Sequence, residues 1–334
     1  MEIASEYALF LLKFGTGLVG LLVLIAIARS SSKSNAGEIK VTNIGEKHQE
    51  YQTELYECML SESDMKAYEK EKKKLVKAIE NQSDRKNLFV LDFVGSVSAK
   101  EVESLREEIT AVLSVAREGD EVLVKVDSGG GYVHSYGLAA SQLDRLKGAG
   151  LQVTVSVDKI AASGGYMMAC VADKIIAAPF AIVGSVGVVS EFPNFHKLLQ
   201  KMNIDIEQHT AGEFKRTLTV LGENTDQGRD RFKEDLEKTH ELFQNHVTHY
   251  RPSLVDVEFA TGETWYGNVA VGKGLVDAVK TSDEFISSAV RDFNVLQVTY
   301  ERKKKFSDRI ASTSAMVVER VILKLAQISN GAKF

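Results

Sequence analysis

The chain has 334 residues, 44% hydrophobic and 26% charged, with a formal net charge of −5 and only 3 prolines. That composition suits a globular domain of roughly 200–250 residues with appendages, and it excludes a fibrous or disordered chain. The acidic balance gives nucleic acid no footing, and two cysteines, Cys58 and Cys170, are too few for a disulfide framework or a structural zinc site.

Residues 7–28 are apolar except for Lys13 and Thr16. As a helix, 22 residues span about 33 Å, matching a bilayer core of about 30 Å. Ala26-Ile27-Ala28 has the look of a signal-peptide cleavage site. Glu2 and Glu6, however, stand where a signal peptide carries basic residues, so an uncleaved anchor is expected over 1–28. Arg29, Lys33 and Lys40 follow the span, which by the positive-inside rule puts the bulk of the chain in the cytoplasm. Residues 29–86 read as a serine-rich linker and a charged extension. A solvated helix is predicted over 56–79, a stalk or outer packing helix that carries the basic run Lys70-Glu71-Lys72-Lys73-Lys74.

From Leu88 the pattern alternates between strands and helices. Strands are predicted over 88–94, 121–127 and 151–157. Helices are predicted over 98–116, where Val102, Leu105, Ile109, Val112 and Leu113 form a stripe, and over 133–146. An apolar helical stretch over 166–172 holds Cys170 as a buried small hydrophobe. A long charged helix follows over about 226–250, then shorter helices to about 293 and a final strand over 296–301. This alternation implies an α/β domain with a mainly parallel sheet and covering helices, over 87–300. Beyond it, residues 301–334 read as a basic amphipathic helix, suited to a membrane surface, to the domain or to another subunit.

Three glycine-rich segments and one lysine carry the chemistry. Ser128-Gly129-Gly130-Gly131 follows a strand but lacks the ending of a P-loop and the spacing of a dinucleotide fingerprint. Its open backbone N–H groups suit an oxyanion hole or a strand-like peptide. Ile160-Ala161-Ala162-Ser163-Gly164-Gly165-Tyr166 places a serine before a helix, where backbone N–H groups lie near the hydroxyl. Val183-Gly184-Ser185-Val186-Gly187-Val188 follows, and Lys215 comes 52 residues after Ser163. A lysine acts as a base only when neutral, and a free one, with pKa about 10.4, is neutral at pH 7 in roughly one molecule in 2,500. Burial is what makes such a base. The rival is a triad with His196 or His209, of which His196 opens an apolar helix. His134 follows the first glycine-rich turn and could touch a substrate.

In order and spacing, Asp127-Ser128-Gly129-Gly130-Gly131, Ala161-Ala162-Ser163-Gly164-Gly165-Tyr166, Gly184-Ser185-Val186-Gly187 and Gly212-Glu213-Phe214-Lys215 resemble the signal peptide peptidase A group of membrane serine peptidases, family S49. The resemblance covers about 88–285 and is specific, since four motifs match together. It departs at Gly129, where the family often has proline.

The resemblance implies a ClpP/crotonase-like fold preceded by a transmembrane helix. Ser163 would be the nucleophile, Lys215 the general base and Ser185 the hydroxyl that orients the lysine. The backbone N–H groups of Gly131 and Gly164 would form the oxyanion hole. It implies a membrane-anchored serine endopeptidase of the bacterial inner membrane, single-pass and with its catalytic domain in the periplasm. Hydrophobic peptides, such as remnant signal peptides or fragments of misfolded membrane proteins, would be its substrates. No metal or cofactor is called for. A homo-oligomer of eight copies is expected, with Ser163 of one subunit facing Lys215 of the next. Two other classes, a silent membrane scaffold and an acyl-CoA enzyme on the crotonase architecture, have no use for a serine–lysine pair.

Overall fold

The computed structural model describes residues 37–80, 85–212 and 214–302, of which Ile39–Tyr300 form one compact unit. The anchor expected at 7–28 lies outside the described residues, as does the amphipathic helix expected over 301–334 except for residues 301 and 302, of which Glu301 ends a strand instead. Among the described residues, no helix is long and apolar enough to cross a membrane.

Strand β1 (Glu38–Asn43) leads into two helices, α1 (Ile44–Met59) and α2 (Glu62–Glu80). The sequence predicts one helix over 56–79 and no strand before it; the structure differs because two caps divide the segment. Asn43 accepts from the Glu46 N–H at 3.2 Å and starts α1 early. Ser61 accepts from the Asp64 N–H at 3.3 Å and starts α2 afresh.

The α/β domain then runs β2 (Asn87–Val94), α3 (Val102–Val115), β3 (Glu121–Asp127), α4 (Val133–Gly148), β4 (Gln152–Val157), β5 (Ile160–Ala162), α5 (Gly164–Ala169), β6 (Lys174–Ala177), β7 (Ile182–Gly184), α6 (His196–Lys201), α7 (Asp226–Tyr250), β8 (Thr264–Tyr266), α8 (Gly267–Gly272), β9 (Ala278–Val279), α9 (Ser282–Ala289) and β10 (Asn294–Glu301). Among the described residues, seven strands form one sheet in the order β1-β10-β2-β3-β4-β6-β9. Every pairing from β10 to β9 is parallel.

Both faces of this sheet are covered, which is why its strands read as nearly unbroken apolar runs. Along β2, Phe89, Leu91 and Phe93 join the main core with Leu105 and Ile109 of α3 and Leu143 of α4. Leu88 and Val90 point the other way, to Ile286 and Ala289 of α9. Burying each such side chain contributes roughly 1.5–3 kcal/mol. Glu108 interrupts the α3 stripe. Its buried carboxylate accepts the Tyr300 N–H at 2.8 Å and so ties the end of β10 to α3. Burial raises its pKa, and that hydrogen bond opposes the rise.

A second, three-stranded sheet, β5-β7-β8, lies at the carboxyl end of β3. Ser128, one residue beyond β3, bridges to Ala161 of β5. Its N–H donates to the Ile160 carbonyl at 2.8 Å, and its own carbonyl accepts the Ala162 N–H at 3.0 Å.

Candidate active site

Parallel register aligns Ile160, Ala161 and Ala162 with Ile182, Val183 and Gly184, so the two strands end abreast at Ser163 and Ser185. Both serines have φ of 51°, a region where a side chain is strained. Such a backbone costs about 1–3 kcal/mol and persists only where neighbours over-determine it. Here the Ser163 N–H donates to the Gly184 carbonyl at 2.8 Å, and the Ser185 N–H to the Glu263 carbonyl at 2.6 Å.

Ser163 and Ser185 open on a cavity of about 680 Å³. The loop after β3 lines it with Gly129, Gly130, Gly131, Tyr132 and Val133, joined by Val97. The segment after β7 lines it with Gly187, Val188 and Val189, joined by His240, Thr261 and Gly262.

The glycine-rich loop is held by a small polar network. The Ser128 hydroxyl accepts the Gly130 N–H at 3.1 Å and turns its one proton toward the Tyr136 hydroxyl and the Gly95 carbonyl, the latter at 3.2 Å. Tyr136 donates in turn to the Ser96 carbonyl at 2.8 Å. Two glycines are there for close approach. A Cβ on Gly131 would stand 2.0 Å from the Val97 carbonyl oxygen, and one on Gly164 would stand 2.4 Å from the Tyr136 ring. Gly164 is the first residue of α5, so its N–H has no acceptor within the helix. The Gly131 N–H has no backbone acceptor among the described residues. The cavity therefore brings a serine hydroxyl beside a glycine-rich backbone whose Gly131 N–H is uncommitted.

Lys215 is elsewhere. It is exposed and does not line the cavity, in a turn where its N–H donates to the Gly212 carbonyl at 3.2 Å. The Phe214 ring before it packs under the Arg231 guanidinium at 4.9 Å, on α7. His240, which does reach the cavity, is nine residues further along that helix, about 13 Å along its axis. Its own chain does not give Lys215 the burial that a base lysine needs.

The rival histidines are not in the cavity either. His209 has a side chain 89% exposed and faces Glu207 at 3.6 Å. His196 begins the short helix α6, and His134 stacks on Tyr132, which does line the cavity, at 5.7 Å between ring centroids. His240 lies far in sequence from every glycine-rich motif. The signal that finds it is helical period: it shares the inward stripe of α7 with Phe243 and Val247. Cys170 is fully buried, which pushes its thiol pKa up, and Cys58 is exposed. Among the described residues, no group of three or more His, Cys, Asp or Glu is placed to hold a metal.

Comparison with known proteins assigns the chain. The model of the peptidase family S49 N-terminal region matches residues 2–143, and that of peptidase family S49 matches residues 145–296. The "Probable protease SohB" of Haemophilus influenzae is 44% identical over 343 residues, covering 97% of each chain. The "Probable protease SohB" of Buchnera aphidicola subsp. Acyrthosiphon pisum is 51% identical over 244 residues, covering 73% of each. A solved membrane-bound stomatin-specific protease, a mutant in complex with a substrate peptide, overlaps 69% of this chain and 98% of its own at 12% identity and a TM-score of 0.39. An overlap that loose gives no residue correspondence. The two family matches and the relative that is similar from end to end agree, and the chain belongs to peptidase family S49.

Proposed function

We propose that this S49 peptidase is a membrane-anchored serine endopeptidase of ClpP/crotonase-like fold, working through Ser163 and Lys215. The observation that carries the reading is the strained Ser163 in the cavity wall, beside the glycine-rich loop that lines it with Gly129, Gly130 and Gly131. The Ser163 hydroxyl adds to the scissile carbonyl while its proton passes to the neutral amine of Lys215. The Gly131 and Gly164 N–H groups bind the oxyanion, a contribution typically of about 10²–10³ per donor in rate. Lys215 returns the proton to the leaving amine and leaves an acyl-serine. It then deprotonates the water that releases the acid. Ser185, abreast of Ser163, orients the lysine.

The exposed position of Lys215 supports a shared site, with Ser163 of one subunit completed by Lys215 of its neighbour in a closed ring of eight. The neighbour then supplies the burial that neutralises the amine. The apolar wall made by Val97, Val133, Val188 and Val189 favours hydrophobic residues in an extended peptide, such as remnant signal peptides. In this reading residues 7–28 anchor the enzyme in the bacterial inner membrane, and the catalytic domain lies on the periplasmic side by resemblance to the family, against the flanking charges Arg29, Lys33 and Lys40. A fluorophosphonate probe tests the chemistry: it labels the wild type at Ser163, and Ser163→Ala abolishes labelling and peptide cleavage together. Cleavage by Ser163→Ala at the wild-type rate overturns the reading.

A further inference from the structure

The wall of the cavity beyond Ser185 is held from behind by an imidazole. His240 lies on the inward stripe of α7, one turn before the buried Phe243, at a place where an apolar side chain would be ordinary. Its Nε2 is 3.3 Å from the Val186 carbonyl oxygen. Val186 is fully buried, and its neighbours Ser185 and Gly187 both line the cavity. A carbonyl only accepts, so the bond requires the proton on Nε2. The Gln244 amide nitrogen lies 3.2 Å from Nε2 and 3.4 Å from Nδ1, so it packs along the ring edge and the Val186 carbonyl alone calls for that tautomer.

Three hydrogen bonds pin residues 185–187, and they come from unequal sources. The Gly262 N–H reaches the Val186 carbonyl at 3.2 Å, and the Glu263 carbonyl accepts the Ser185 N–H at 2.6 Å. Both belong to an exposed loop. The third comes from α7, a 25-residue helix anchored in the core by Phe243 and Val247. His240 therefore ties the strained turn at Ser185 to a rigid element, and its ring also faces the cavity.

We infer that His240 is a positioning residue of the peptidase reaction: by holding the Val186 carbonyl it fixes the Ser185 hydroxyl where the base is oriented. The inference rests on the proposed role of Ser185, and its test separates the two. The full-length protein is assayed for kcat and KM on a fluorogenic peptide, as wild type, His240→Ala, His240→Gln, Ser185→Ala and the Ser185→Ala/His240→Ala double variant. Losing the imidazole lowers kcat about tenfold, the scale of one buried hydrogen bond, and leaves KM within about twofold. His240→Gln, whose amide N–H reaches the same carbonyl, recovers at least half of the wild-type kcat. The double variant is no slower than Ser185→Ala alone within about twofold, because both changes remove one function. Multiplying losses, a change confined to KM, or failure of glutamine to rescue overturns the inference while the role of Ser185 stands. Wild-type kcat in Ser185→Ala removes that role, and this inference with it.

Discussion

The floor of the cavity and the arm that carries Lys215 are built by different rules. All six residues of α5, behind Ser163, are buried, and the strained serine is fixed by its own N–H donating to a carbonyl of a neighbouring strand. The arm over 188–222 instead exposes apolar side chains along its length, among them Val189 at 89%, Met202 at 59%, Leu198 at 53% and Phe214 at 51%. What holds it is mostly backbone and amide bonding: the Phe195 N–H to the Val220 carbonyl at 2.7 Å, and the Asn194 amide to the Thr219 and Gly222 carbonyls at 2.8 and 3.0 Å. One chain thus completes the strained turns at Ser163 and Ser185, and presents Lys215 on a surface that asks to be covered.

The comparison breaks most sharply at Gly131. Gly131→Ala pushes a methyl group into the Val97 carbonyl and displaces an N–H of the floor. Turnover should fall about 10²–10³-fold, as for a lost oxyanion donor. A rate within a few-fold of wild type in a peptide assay would remove that N–H from the mechanism.

Leu198→Asp probes the arm. A surface change of this kind normally moves stability by no more than about 0.5 kcal/mol. Activity should nevertheless drop about tenfold or more, with a smaller assembly in size-exclusion chromatography, while the melting temperature holds. Full activity in an intact assembly would mean that this face is not covered.

Ser128→Ala separates the regions in stability rather than rate of assembly. It removes the hydroxyl shared by Gly95, Gly130 and Tyr136. The cost should be about 1–3 kcal/mol by denaturant unfolding, the penalty for orphaning buried partners. An unchanged midpoint would show that the loop holds itself.

The smallest effect is one of pH. His246 of α7 donates from Nε2 to the Met167 carbonyl of α5 at 2.9 Å. Burial lowers its pKa below the ordinary 6.5, and that hydrogen bond opposes the shift. The unfolded chain then takes up the proton more readily than the folded one, so the floor loses stability as pH falls below about 6.5. Melts across that range should show the loss, and His246→Gln should flatten it.

Much of this was legible because the signals were local and strong. The stripe Val102, Leu105, Ile109 and Val112 is buried as its period requires, and the long charged helix is α7 with the predicted bounds. The serines could be singled out because small residues flank them, and small residues are what a strained, crowded backbone needs. What escaped was set by long-range geometry. The second sheet depends on β8, eighty residues beyond β7, returning to pair with it. His240 looks like any surface histidine until the turn at Val186 arrives in front of it. The strand β1 and the break at Ser61 sit in a charged segment where capping, not hydrophobic period, decides the boundaries.

The central claim is that one active site draws Ser163 and Lys215 from different subunits, and complementation tests it most directly. Ser163→Ala and Lys215→Ala proteins, each inactive alone, are mixed under conditions where subunit exchange is followed by a fluorescence label. The account predicts that peptidase activity returns as exchange proceeds, since a junction that pairs the intact serine of one variant with the intact lysine of the other is complete. Proven exchange with no recovered activity, or full activity in a detergent-solubilised wild-type monomer, would contradict it.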